Sequence, residues 1–138
     1  MTANLIEMTR TECLERLRRQ SVGRVAFTQA ALPAVRPVNY TMMGNRIVFR
    51  TRSGGGLARA CDGAVVAFEV DDVAESGGER WSVLVVGLAE ALEGSAAVRA
   101  VETGLVSAAG NDRDRFIAIT IGDVTGRLLT EPADHTDR

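Results

Sequence analysis

The chain has 138 residues, 46% hydrophobic and 25% charged, with a formal net charge of −2. That length supports one domain with a real core, and the charge balance gives no electrostatic footprint for a nucleic-acid partner. All 16 basic residues are arginine, which excludes a lysine Schiff base and leaves phosphate recognition to arginine and backbone.

The first element expected is a helix. Thr9-Arg10-Thr11-Glu12 reads as a capping box, with Cys13, Leu14 and Leu17 as a narrow apolar stripe beyond it. Its arginines, Arg16, Arg18 and Arg19, read as a solvated face. The period then changes to two. Residues 22–27 read as a strand, and residues 34–42 as a second one in which Pro37 argues for an edge or a bulge. Met43-Gly44-Asn45 is a hairpin turn, and residues 46–51 form the next strand, with Ile47 and Phe49 on one face. A short helix is expected over 57–61, then a nearly all-apolar, central strand over 64–70 and a loop over 71–79. Residues 81–92 make a long valine-rich strand in which Gly87 marks a bend or bulge. Ser95 is placed as the cap of a helix running to about Ser107 and ending at Gly110-Asn111. Residues 116–121 form the last strand, continued past a kink by 123–129.

Strands joined by turns, with helices only at three points, do not alternate as βαβ units. The pattern indicates a mainly β protein with flanking helices (α+β), an antiparallel sheet closed as a barrel. Residues 1–138 form a single domain, with 1–8 and 130–138 expected as flexible tails. Cys13 and Cys61 lie far apart and in no CxxC pattern, so they read as free thiols of a reducing compartment. No apolar run approaches the ~18 residues of a membrane span, and the segment around Glu7 is not a secretory signal. A cytoplasmic protein is expected.

Familiar catalytic sets are missing. The one histidine, His135, sits in a polar tail, and no cysteine, histidine or carboxylate spacing suggests a metal site. Asp71-Asp72 reads as a solvated turn. The informative stretch is residues 47–57, where a strand runs through Arg50, Thr51, Arg52 and Ser53 into Gly54-Gly55-Gly56 and a helix at Leu57. Glycine lets backbone N–H groups approach a phosphate, and arginine grips it through a fork of donors. The same residues also suit a plain turn with solvated arginines. If the protein does chemistry, a cofactor is expected to carry it. Trp81 and Ser82 offer a stacking face and a hydroxyl, while Asn39 and Tyr40 offer an amide and a phenol for a flat heterocycle. Trp81 equally suits the cap of a core, and Asn39 the turn that follows it.

The order of segments 23–27, 33–40, 47–51, 66–71, 81–87 and 125–127 resembles the pyridoxamine 5′-phosphate oxidase-like family over most of the chain. The resemblance implies a six-stranded antiparallel split β-barrel of the flavin-binding type, a homodimer with a flavin in each of two grooves between the barrels, and hydride or electron transfer to a small molecule. It implies Arg50, Thr51, Arg52, Ser53 and Leu57 on the phosphate side, and Val38, Asn39, Tyr40, Trp81 and Ser82 along the ring or groove wall. No residue is assigned a catalytic role. One departure counts: Gly56 stands where the family commonly has lysine. Arg52 and Arg59 are the available substitutes. The groove is accordingly expected to hold flavin mononucleotide (FMN), with a deazaflavin or no cofactor as the alternatives, the last making the protein a dimeric interaction module; a flavin- or ligand-binding protein without turnover is the alternative to an oxidoreductase.

Overall fold

The computed structural model describes residues 4–73, 79–105 and 114–130. The elements run β1 (Asn4–Glu7), α1 (Arg10–Arg19), β2 (Val22–Gln29), β3 (Leu32–Met43), β4 (Arg46–Arg52), α2 (Gly56–Cys61), β5 (Ala64–Asp72), β6 (Arg80–Ala91), α3 (Gly94–Glu102) and β7 (Asp114–Thr130). Strands pair in the order β1-β7-β4-β3-β2-β5-β6, and β7 also pairs with β6. Six strands, β2 to β7, therefore close into a ring, and every pairing in it is antiparallel. The seventh, β1, lies outside the ring on β7. Asn4–Glu7, expected within a flexible tail, is thus a strand, held by a ladder from Asn4↔Thr130 to Glu7↔Arg127.

Alternation decides what faces inward. Val25 and Phe27 of β2, Ile47 and Phe49 of β4, Val66, Phe68 and Val70 of β5, Val83 and Val85 of β6, and Ile117, Ile119 and Ile121 of β7 fill the barrel. A second apolar cluster lies outside the ring, where Val48, Phe116 and Ala118 meet Ala100 of α3.

Two strands carry a fault that closure requires. Val86 lies opposite Asp123 but Gly87 opposite Ile121, so Gly122 is an extra residue in β7. Before it Ile117, Ile119 and Ile121 point inward; beyond it Val124 and Leu128 do. A Cβ on Gly87 would run into the Thr120 carbonyl, which is why glycine stands there. The expected bulge at Gly87 and the kink before Asp123 are one feature.

In β3, residues 40–43 pair with β4, while residues 32–39 pair only with β2. Pro37 falls in this one-sided half, opposite Arg24, where a missing N–H leaves no ladder bond unmade.

The helices close the ends. At α1 the capping box forms as read: the Glu12 N–H donates to Thr9 Oγ1 at 3.2 Å and the Thr9 N–H to Glu12 Oε1 at 2.8 Å. Helix α2 packs on β2, β4, β5, β6 and β7 at the opposite end, burying Leu57, Ala58 and Cys61. Several boundaries differ from expectation. The α3 N-cap is Glu93, with no side-chain capping bond, so Ser95 lies inside the helix; the backbone turn at Gly94 (φ 60°) starts it two residues earlier than a Ser95 cap would. Strand β5 extends through Asp72 because Asp71 and Asp72 still pair with Ser82 and Trp81. Helix α3 also ends sooner than expected, at Glu102 with Thr103 as C-cap and Gly104 in the left-handed region (φ 77°), rather than near Ser107. His135 and Gly110-Asn111 lie outside the described residues.

Candidate functional site

The strand before the glycine turn presents its arginine and its threonine to opposite sides. Arg50 faces outward, toward α3. Its Nε lies 3.3 Å from Asp114 Oδ2, its Nη1 donates to the Leu105 carbonyl at 3.1 Å, and its guanidinium sits 5.2 Å from the Phe116 ring centroid. These contacts hold it away from the inner face. Thr51 is its inward neighbour, and the register sets Thr51 directly beside Arg115 of β7. Arg52 is exposed and shares the outward face of β4 with Arg50. Leu57 is a core residue, 5% exposed.

At this end of the barrel lies a pocket of about 350 Å³, lined by Ser53, Gly54, Ala58, Arg59, Asp62, Ala91 and Arg115. A second hollow of about 260 Å³ lies across α2, bounded by Thr28, Gln29, Ala30, Gly56, Arg59 and Ala60. Arg59 borders both. Ser53 supplies a hydroxyl and Gly54 a left-handed backbone turn (φ 76°). Asp62 is turned aside in part, accepting the Ala91 N–H at 2.9 Å. Two guanidinium groups against one carboxylate give the lining a net positive charge, which suits a phosphate. Arg115, which sequence reasoning missed, is brought in by the β4–β7 register; no local pattern announces it.

At the other end the ring-side candidates divide. Tyr40 is 3% exposed. Its ring meets Phe68 edge-on at 4.9 Å, and its hydroxyl donates to the Leu17 carbonyl at 2.6 Å. That carbonyl is among the last four of α1, which have no partner inside the helix. Burial pushes the Tyr40 hydroxyl well above the usual phenol range. Trp81 is 5% exposed and lies under Arg16, whose guanidinium is 5.2 Å from the ring. Arg16 is also paired with Glu79 at 3.1 Å, so it is a fixed lid on the tryptophan rather than a solvated charge. Val38 packs against the core. Asn39 and Ser82 are partly exposed, on the outward side of their strands.

Outside the sheet, Arg24 bridges Glu69 and Asp71, 3.1 Å from each. Burial and the neighbouring Asp71 raise the Glu69 carboxyl above its ordinary range. Asp71 is therefore an outward ion-pair partner on a strand, not a turn residue. Among the described residues no group of three or more His, Cys, Asp or Glu side chains is arranged to hold a metal ion, and no helix is long and apolar enough to cross a membrane.

The barrel, its two helical plugs and a cationic hollow at one end define a split-barrel protein. The pyridoxamine 5′-phosphate oxidase family matches residues 9–128, and the chain belongs to that family. A curated relative, the uncharacterized protein Rv0080 of Mycobacterium tuberculosis, is 42% identical over 90 residues, a stretch that is 62% of this chain and 59% of the relative. A crystal structure of a candidate pyridoxamine 5′-phosphate oxidase from Corynebacterium glutamicum is 28% identical, with a TM-score of 0.80, covering 93% of this chain and all (100%) of that one. The structure of an FAD-binding protein from Mycobacterium smegmatis shares the fold at 24% identity and TM-score 0.71, over 91% of this chain and 98% of that one.

Proposed function

We propose that this protein binds a flavin nucleotide, FMN, in grooves between two copies of the chain and acts as an oxidoreductase on a small molecule. The observation that carries the reading is the cationic hollow of Ser53, Arg59 and Arg115. Arg59 links it to the hollow at the β2–β3 turn, where the one-sided half of β3 begins. Family membership and the flavin-binding neighbour support it.

A flavin, when bound, supplies hydride and electron transfer. The chain then has to bind, orient and exclude water. Ser53, Arg59 and Arg115 hold the phosphate. Asn39 and Ser82 offer an amide and a hydroxyl to the polar atoms of a ring. The second copy is supported by the outward face of the sheet. Val35, Ala26, Ala67 and Val86 form one row across β3, β2, β5 and β6. Val65 beside it is 68% exposed, with Leu84 and Leu88 at 42% and 43%. An apolar patch of this kind marks a contact surface, and a two-fold pairing lets one patch cover itself.

The test is to purify the protein, titrate FMN while following flavin fluorescence, and weigh the complex by sedimentation. Saturable binding at one FMN per chain in a dimer is the expected result, followed by turnover with a nicotinamide donor. A protein that stays monomeric and takes up no flavin overturns the reading.

A further inference from the structure

Resting on that reading, we infer that the phosphate of the bound nucleotide is gripped from inside the barrel end by Arg115 and Arg59, with Arg115 exchanging its ion pair to Glu93 for the phosphate. Arg50, the arginine nearest the glycine turn in sequence, takes no part.

Four observations converge. Arg50 is committed to Asp114, Leu105 and Phe116 on the outer face. Arg115 stands one position away across the ladder, on the inner face beside Thr51, and lines the pocket with Ser53. Its present partner is weakly held: Arg115 Nη2 lies 3.1 Å from Glu93 Oε2, and the Glu93 side chain is 78% exposed. An ion pair that open contributes little and is readily traded for a doubly charged phosphate. Arg59 has no ion pair to a described residue and sits between the two hollows.

The same geometry offers substitutes for the missing lysine. A Cβ at residue 56 would meet only the end of the exposed Gln29 side chain, which can swing aside. The positive charge at this end comes instead from Arg59 of α2 and Arg115 of β7. Asp62 is the one carboxylate in the lining, and its bond to the Ala91 N–H keeps one oxygen occupied.

The experiment compares FMN with riboflavin, which lacks the phosphate, in the full-length protein. Arg115→Ala is expected to reduce the preference for FMN over riboflavin at least tenfold while riboflavin affinity holds. Arg59→Ala is expected to reduce it severalfold. Arg52→Ala, on the outer face, leaves the preference unchanged. Glu93→Gln frees Arg115 and raises it two- to threefold, a gain that a merely structural role for Arg115 would not produce. Arg115→Gln removes the charge but keeps a long polar side chain, and serves if the alanine variant folds poorly. An FMN preference untouched by Arg115→Ala, or by Arg115→Gln where that variant stands in, overturns the inference while leaving flavin binding intact. If no flavin binds at all, the proposed function fails, and inorganic phosphate decides the pocket. Thermal stabilisation by phosphate that is lost in Arg115→Ala upholds the grip, and its absence in the parent protein refutes it.

Discussion

The two ends of the barrel are closed by helices of similar purpose and opposite character. Under α1 the polar atoms have found partners: Tyr40 caps the Leu17 carbonyl, and Arg16 lies on Trp81 and pairs with Glu79. Under α2 the plug is only Gly56–Cys61, and beside it a pocket of about 350 Å³ keeps Arg59 and Arg115 at its wall. One end is finished and the other is left open with charge in it. A protein that uses one end for stability and one for a ligand shows this division, because a pocket able to take a phosphate is one whose donors are not spent on the fold.

Substitutions at the finished end should register as stability. Trp81→Ala empties a core position and is expected to cost about 4 kcal/mol, read from urea unfolding. A loss below about 1 kcal/mol would mean that Trp81 faces a groove after all. Tyr40→Phe keeps the ring but strands the Leu17 carbonyl, at about 1.5 kcal/mol, without altering flavin affinity. A smaller effect is expected from the thiol under α2. Burial pushes Cys61 up to about 11 from an ordinary value of 9.0. The folded state therefore holds its proton where the unfolded chain has lost it. Stability from this group is complete below about pH 9 and falls as pH rises toward 11. Cys61→Ala should flatten that slope, as melting at a series of alkaline pH values would show; an unchanged slope would place its origin elsewhere.

Much of the architecture was legible because it rests on local signals. Alternation located the six strands of the ring, the capping box located α1, and Pro37 marked the one-sided half of β3. Gly87 announced the bulge. The site was less legible. Its motif lies beside the hollow, yet alternation turns Arg50 outward, and the proposed grip passes to Arg115, which lies 65 positions further on than Arg50 and meets Thr51 only through the β4–β7 register. Tyr40 and Trp81 offered suitable chemistry, but their tertiary surroundings, Leu17 and Arg16 from α1, turn them into core. Sequence spacing carries the period of a strand; which face is inside depends on pairing with distant segments.

The extra residue at Gly122 works as a phase shift in the middle of the barrel's longest strand. One half of β7 answers to the α2 end, through Arg115 and Ile117, and the other to α1, where the Met8 N–H bonds the Gly126 carbonyl at 2.9 Å. A regular strand of the same length, with no bulge, would restore an unbroken alternation and so invert one half, turning Thr125 and Arg127 into the interior. The bulge at this point is therefore as tightly constrained as any buried side chain, although nothing about the exposed glycine itself would suggest it.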